Sequence, residues 1–107
     1  MWIWTLDAKL INLTMVESIE LLEVFPEGTE LPDQDDPAIE PDYLELIVVM
    51  PSGREAVLFE SEIADEAQKA YETVAAFVAG GGLIDGMHPH QPITVALLLE
   101  RARTAKN

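Results

Sequence analysis

Residues 2–6, Trp-Ile-Trp-Thr-Leu, read as an extended strand with Trp2, Trp4 and Leu6 on one face and Ile3 and Thr5 on the other. Asp7-Ala8-Lys9 supplies a tight turn, and Leu10 to Leu13 return as a second strand. A third apolar segment contains Val16, Ile19, Leu21, Leu22, Val24 and Phe25. Its alternation is imperfect, which predicts a bulge or a helical turn near Thr14-Met15. Leu44 to Met50 and Glu55 to Glu60 form a hairpin around Met50-Pro51-Ser52-Gly53, where proline second and glycine fourth fit a type I turn. In this hairpin Leu46, Val48 and Met50 oppose Ile47 and Val49, and Ala56 and Leu58 oppose Val57 and Phe59. Half-solvated antiparallel strands alternate cleanly and these do not, so the pattern predicts cover on both faces of this part of the sheet.

The spacing of Ile63, Ala67, Ala70, Tyr71, Val74, Phe77 and Val78 predicts an amphipathic helix over residues 62–79. Ser61 is its candidate N-cap, Glu62, Asp65 and Glu66 suit the positive end of its dipole, and Gly80-Gly81-Gly82 ends it. Pro92 can open a final helix over 93–104, apolar on nearly every side from Ile93 to Leu99 and basic at Arg101, Arg103 and Lys106. Such a segment must be buried, on the second face of the sheet or against another chain. The β-branched start of 93–99 keeps a strand open as the alternative. The expected fold is a single α+β domain over residues 1–107. It comprises an antiparallel β-meander of about five strands, one amphipathic helix packed on it and a C-terminal apolar helix. An acidic, proline-rich loop (26–42) and a Gly/Pro/His connector (80–92) join the elements.

Charge changes this picture most. Twenty acids against six bases give a formal net charge of −14 in 107 residues. Affinity for nucleic acid comes largely from lysine and arginine on phosphates, so the balance argues against nucleic-acid binding. It argues equally against anionic membranes and anionic cofactors, and favours a protein partner with a basic surface. The acids concentrate between Glu17 and Glu72, where seventeen stand against two bases. The candidate partner-binding set is Asp33, Asp35, Asp36, Glu40 and Asp42 in the loop, with Glu62, Asp65, Glu66 and Glu72 on the outer helix face. Carboxylates three and four apart on a helix lie about 5 to 6 Å from one another, a spacing able to imitate a phosphate backbone or meet an arginine-rich surface. The plainer alternative is a solvated, solubilising face. The chain has no cysteine, which removes disulfides and thiolate sites. Its first residues have no basic and apolar leader, and no apolar run is long enough for a membrane span, so a cytoplasmic location is expected.

Specific chemistry finds little footing. Gly-Leu-Ile-Asp-Gly followed by His88-Pro89-His90 is similar to the first metal-binding motif of the amidohydrolase superfamily over about nine residues. Met87 breaks that motif's register, and the fold it belongs to is a barrel of roughly 250 residues. A cupin-type pair would need a glutamate soon after His90, and the next is Glu100. Asp85, His88 and His90 remain an alternative metal-ligand set within one connector. An EF-hand loop from Asp33 would need glycine at Ala38 and glutamate at Leu44. No serine stands in a Gly-x-Ser-x-Gly elbow, and the glycine run has no phosphate-loop lysine. The chain reads as a non-enzyme with no cofactor.

"MWIWTLDAKLINLTMVESIEL" resembles the N-terminal hairpin of many small uncharacterised bacterial and phage proteins, in which a strand pair and a Glu/Ala-rich helix follow, as in "REAVLFESEIADEAQKAYETVAAFV". The resemblance covers about half the chain. Members commonly have a glycine in the first turn, where this chain has Ala8. It implies a meander-plus-helix fold, a bacterial or phage origin and no activity. Together these readings give a non-enzymatic acidic interaction module that forms a homodimer, with Val95, Leu98, Leu99 and Ala102 as its self-association surface. The alternatives are an inhibitor that mimics nucleic acid, of the anti-restriction or anti-CRISPR class, and a small metal-binding protein using His88 and His90.

Overall fold

A computed structural model describes residues 1–25, 41–82 and 91–105. The order of elements is β1 (Trp2–Trp4), β2 (Leu10–Asn12), a 3-10 turn (Leu13–Met15), β3 (Ser18–Val24), β4 (Tyr43–Val49), β5 (Glu55–Ser61), α1 (Ala64–Ala79) and α2 (Val95–Ala105). The protein is α+β with antiparallel pairing, but the strands form two sheets, β1-β2 and β3-β4-β5. This corrects the expected five-stranded meander. The break falls where the alternation falters. The Asn12 side chain accepts the Thr14 amide at 3.1 Å, the chain turns through Leu13–Met15, and Leu13 enters the core. The chain thus leaves β2 before β3 begins. One backbone bond, Leu6 N–H to the Val57 carbonyl at 2.9 Å, links the hairpin to β5.

The two tight hairpins share one construction. In the second, the Gly53 amide donates to the Met50 carbonyl and the Met50 amide to the Arg54 carbonyl, both at 2.8 Å, with Gly53 at φ +86°. In the first, the Ala8 amide donates to the Thr5 carbonyl at 3.1 Å and the Thr5 amide to the Lys9 carbonyl at 2.8 Å, with Ala8 at φ +62°. Each is a type I turn followed by a left-handed residue, which matches the right-handed twist of the flanking strands.

Pairing of Leu46 with Phe59 but Ile47 with Val57 marks a β-bulge that leaves Leu58 as the extra residue. The bulge lets Leu58 and Phe59 both reach the core, which accounts for the two-sided apolar pattern of β5. The core sits between this sheet and α1: Leu46, Val48 and Leu58 pack with Ala70 and Val74, and with Ile3, Ile93, Val95 and Leu98 from the two ends of the fold.

Both helix starts differ from expectation. α1 begins at Ala64, and Ile63 is 56% exposed instead of joining the core face. Ser61 is the last residue of β5, yet its hydroxyl accepts the Ile63 amide at 3.0 Å and donates to Glu66 at 2.8 Å. It closes the strand-to-helix corner without being the N-cap. The helix ends as the glycine run predicts: the Gly82 amide reaches the Phe77 carbonyl and the Gly81 amide the Val78 carbonyl, a Schellman motif with Gly81 at φ +78°.

Pro92 does not open α2. Ile93 is extended and forms a parallel bridge to Ile3, donating to the Trp2 carbonyl at 3.1 Å and accepting from the Trp4 amide at 2.9 Å. The helix starts two residues later, with the Thr94 hydroxyl accepting the Leu97 amide at 3.1 Å as an N-cap does. The segment 93–99 is therefore strand-like at its first residue and helical from Val95. α2 packs against α1, so it is not the cover expected for the second face of the sheet. Among the described residues, no helix is long and apolar enough to cross a membrane.

Candidate interaction surfaces

The corner between β5 and α1 gathers part of the predicted acidic set. Leu44 pairs with Ser61, so Asp42, just before β4, stands at the same end of the sheet as Glu62 and the first turn of α1. Asp42, Glu62, Asp65, Glu66 and Glu72 are all exposed. Asp65 and Glu66 lie in the first turn, where unpaired amides favour negative charge. Glu72 lies about 9 Å further along the axis than Glu66 and accepts from the Gln68 amide group at 3.3 Å. Lys69 is on the same helix, yet among the described residues no ion pair closes with any of these five carboxylates. Asp33, Asp35, Asp36 and Glu40 lie outside the described residues, as do Asp85, His88 and His90. Among the described residues, no group of three or more His, Asp or Glu side chains is placed to hold a metal ion.

A second acidic surface was not singled out from sequence. The face of β3-β4-β5 opposite α1 carries Glu20 beside Ile47 and Val57, and Leu22 beside Glu45 and Glu60. Glu45 and Glu60 are directly opposed across the strands, an arrangement that like charges resist. Ile47 is 2% exposed on this face. The signal lay in the period-2 spacing of Glu20, Leu22, Glu45 and Ile47, but it acquires meaning only once the strand register is known.

Of the residues expected to mediate self-association, Val95 and Leu98 are buried within the chain. Val95 and Leu98 are 2% and 4% exposed, and Leu99 and Ala102 are half-buried, because α2 turns this side onto the core and α1. At Val95 and Leu98 no surface is left for a second molecule. What the fold does expose is the outer face of the first hairpin, with Trp2, Trp4, Leu6 and Leu10. An open groove of about 850 Å3 runs from that hairpin to β5, lined by Leu6, Asp7, Lys9, Arg54, Val57 and Glu60 among others. Among the described residues that line it, acids and bases are mixed without a nucleophile-base pair.

Charge in the first hairpin is internally balanced. Lys9 and Asp7 lie 3.4 Å apart, and the Thr5 hydroxyl, in a residue 6% exposed, donates to Asp7 while accepting the Lys9 amide at 2.9 Å. The Thr5 hydrogen bond, helped by Lys9, holds the Asp7 carboxyl below its ordinary range.

Fold and surface define a small, acidic α+β protein. No family model matches the chain, and no curated protein or solved structure is significantly similar to it.

Proposed function

We propose that the protein is a non-enzymatic interaction module whose acidic surface engages a partner protein with a basic one. The observation that carries this reading is the β5–α1 corner, where Asp42, Glu62, Asp65 and Glu66 are exposed together and left without ion pairs among the described residues. Charges kept apart from internal cations remain available to external ones, and a field of net −14 steers cationic surfaces toward them. The exposed Asp65 and Glu66 in the first turn of α1, with Glu62 just before it and Glu72 further along, also support the narrower reading of a nucleic-acid mimic, since they offer the partner several negative charges close together.

The test is affinity capture with the wild-type chain and with a Glu62→Lys/Asp65→Lys/Glu66→Lys variant, at low and high salt. A specific partner is expected to be retained by the wild type, released by salt and lost by the variant. A partner held equally by both chains would place recognition elsewhere and overturn the reading.

A further inference from the structure

β3 is an outer strand of the β3-β4-β5 sheet, and among the described residues only β4 pairs with it. The bond from the Met50 amide to the Arg54 carbonyl turns the even-numbered residues of β4 toward β5 and the odd-numbered ones toward β3. Ser18 stands opposite Val49 and Val24 opposite Tyr43, so the even-numbered residues of β3 bond to β4. The Val24 carbonyl accordingly accepts the Asp42 amide on that side at 2.8 Å. The N–H and C=O groups of Ile19, Leu21 and Glu23 therefore point away from the sheet, and no described residue bonds to them. Neither a proline nor a bulge interrupts this row from Ser18 to Val24.

An extended chain is what fits such a row, because it repeats its own donors and acceptors at the same interval of about 6.8 Å. Charge decides which kind of chain. Glu20 projects to the face of the sheet away from α1, beside Ile47, and Glu23 to the other face, beside Leu44. Both are exposed, and among the described residues neither has an ion pair. An acidic strand, a second copy of β3 included, would bring like charge to both faces. A strand with cations opposite Glu20 and Glu23 is complementary on both.

We propose that the open edge of β3 takes up an extended segment of a basic partner protein as an added strand. That segment has lysine or arginine at two positions three apart, one opposite Glu20 and one opposite Glu23. The inference rests on the basic-partner reading and names how such a partner is held. Backbone bonds to Ile19, Leu21 and Glu23 dock the strand, and the two charge pairs select it. They also fix its register, since a slip of one residue moves each cation to the wrong face. Glu23 lies at the end of the sheet where Asp42 and Glu62 stand, so the partner chain runs on toward the acidic corner.

The probe is a capped peptide of about eight residues, threonine and valine with two lysines three apart. It is compared with the same peptide N-methylated along its backbone and with one carrying glutamate for lysine. Binding to the full chain is read by calorimetric titration and by amide hydrogen exchange. The lysine peptide should bind, more weakly at high salt, and slow exchange at the Ile19, Leu21 and Glu23 amides. N-methylation keeps the charge and removes the donors, and should weaken binding by about tenfold or more, as should Glu20→Lys/Glu23→Lys. If that variant fails to fold, the methylated peptide still decides. Equal binding by the methylated or the glutamate peptide overturns the proposal, and so does a bound peptide that leaves the three amides unprotected. A lysine peptide that does not bind at about 1 mM and low salt overturns it as well. None of these outcomes touches the basic-partner reading, which the Glu62→Lys/Asp65→Lys/Glu66→Lys variant decides separately.

Discussion

Ala8 occupies in the first hairpin the position that Gly53 occupies in the second. Both follow a type I turn, both have positive φ, and the hydrogen bonds around them correspond pair for pair. Only the second turn has the residue its backbone favours, since a Cβ in the left-handed region costs roughly 1 to 2 kcal/mol. Ala8→Gly should therefore stabilise the protein by about 0.5 to 1 kcal/mol after the greater chain entropy of glycine is counted. Urea unfolding would show this as a raised midpoint at unchanged slope. A lowered midpoint would mean that the turn does not hold Ala8 in this conformation.

The first hairpin also carries a pH dependence. The Thr5 hydroxyl, with help from Lys9, lowers the Asp7 carboxyl below its ordinary value of 3.8. A carboxyl lowered on folding binds its proton less readily in the native state. Its stabilising contribution is therefore complete above the unfolded value and disappears as pH falls through the folded one. Thr5→Val should return Asp7 towards 3.8, as read from the NMR titration of its carboxyl carbon. An unchanged titration would remove the Thr5 hydroxyl as the cause.

Thr94 separates the bridge at Ile93 from α2, and its hydroxyl holds the Leu97 amide. Thr94→Ala should cost about 1 kcal/mol, while Thr94→Ser should keep most of the stability. Thermal unfolding of the two variants side by side checks the cap. Equal losses would point to the Thr94 methyl group rather than the hydroxyl.

Glu45 and Glu60 face each other across β4 and β5. Glu60→Lys places opposite charges in the same register and should gain roughly 0.2 to 1 kcal/mol. The gain should shrink at high salt because Glu60 is exposed. A salt-independent change of stability would have to come from packing.

The strands, the hairpin turns, the amphipathic helix and its glycine terminator were legible because each depends on residues close in sequence. The 3-10 turn at Leu13–Met15 was foreshadowed by the lapse in alternation before Val16. The division into two sheets was not, because alternation says which residues share a face and nothing about which strands pair. The start of α2 escaped for a related reason. Proline at position 92 is a good first helical residue, but the preference is small beside two backbone hydrogen bonds from Ile93 to β1. The assignment of Val95 and Leu98 to a dimer surface had the same origin. Sequence showed that they must be buried, and only the packing of α2 shows that their own chain buries them. The acidic corner was legible as composition, whereas the gathering of Asp42 with Glu62 required the register of β4 with β5. The tryptophans were placed on one strand face from the start, but their exposure was not, because Ile3 and Thr5 take the inward side.

The bridge between Ile3 and Ile93 closes all the residues between them into one long loop. Contacts so distant in sequence carry a large closure entropy and reward the chain only after the segments between them are in place. The β3-β4-β5 sheet and α1 can assemble from neighbouring segments, while β1 keeps an open edge until residue 93 arrives. During synthesis β1 therefore waits until Ile93 has been made. A chain interrupted before Ile93 would present that edge and the two adjoining tryptophans together, the combination that quality-control factors and aggregation both act upon.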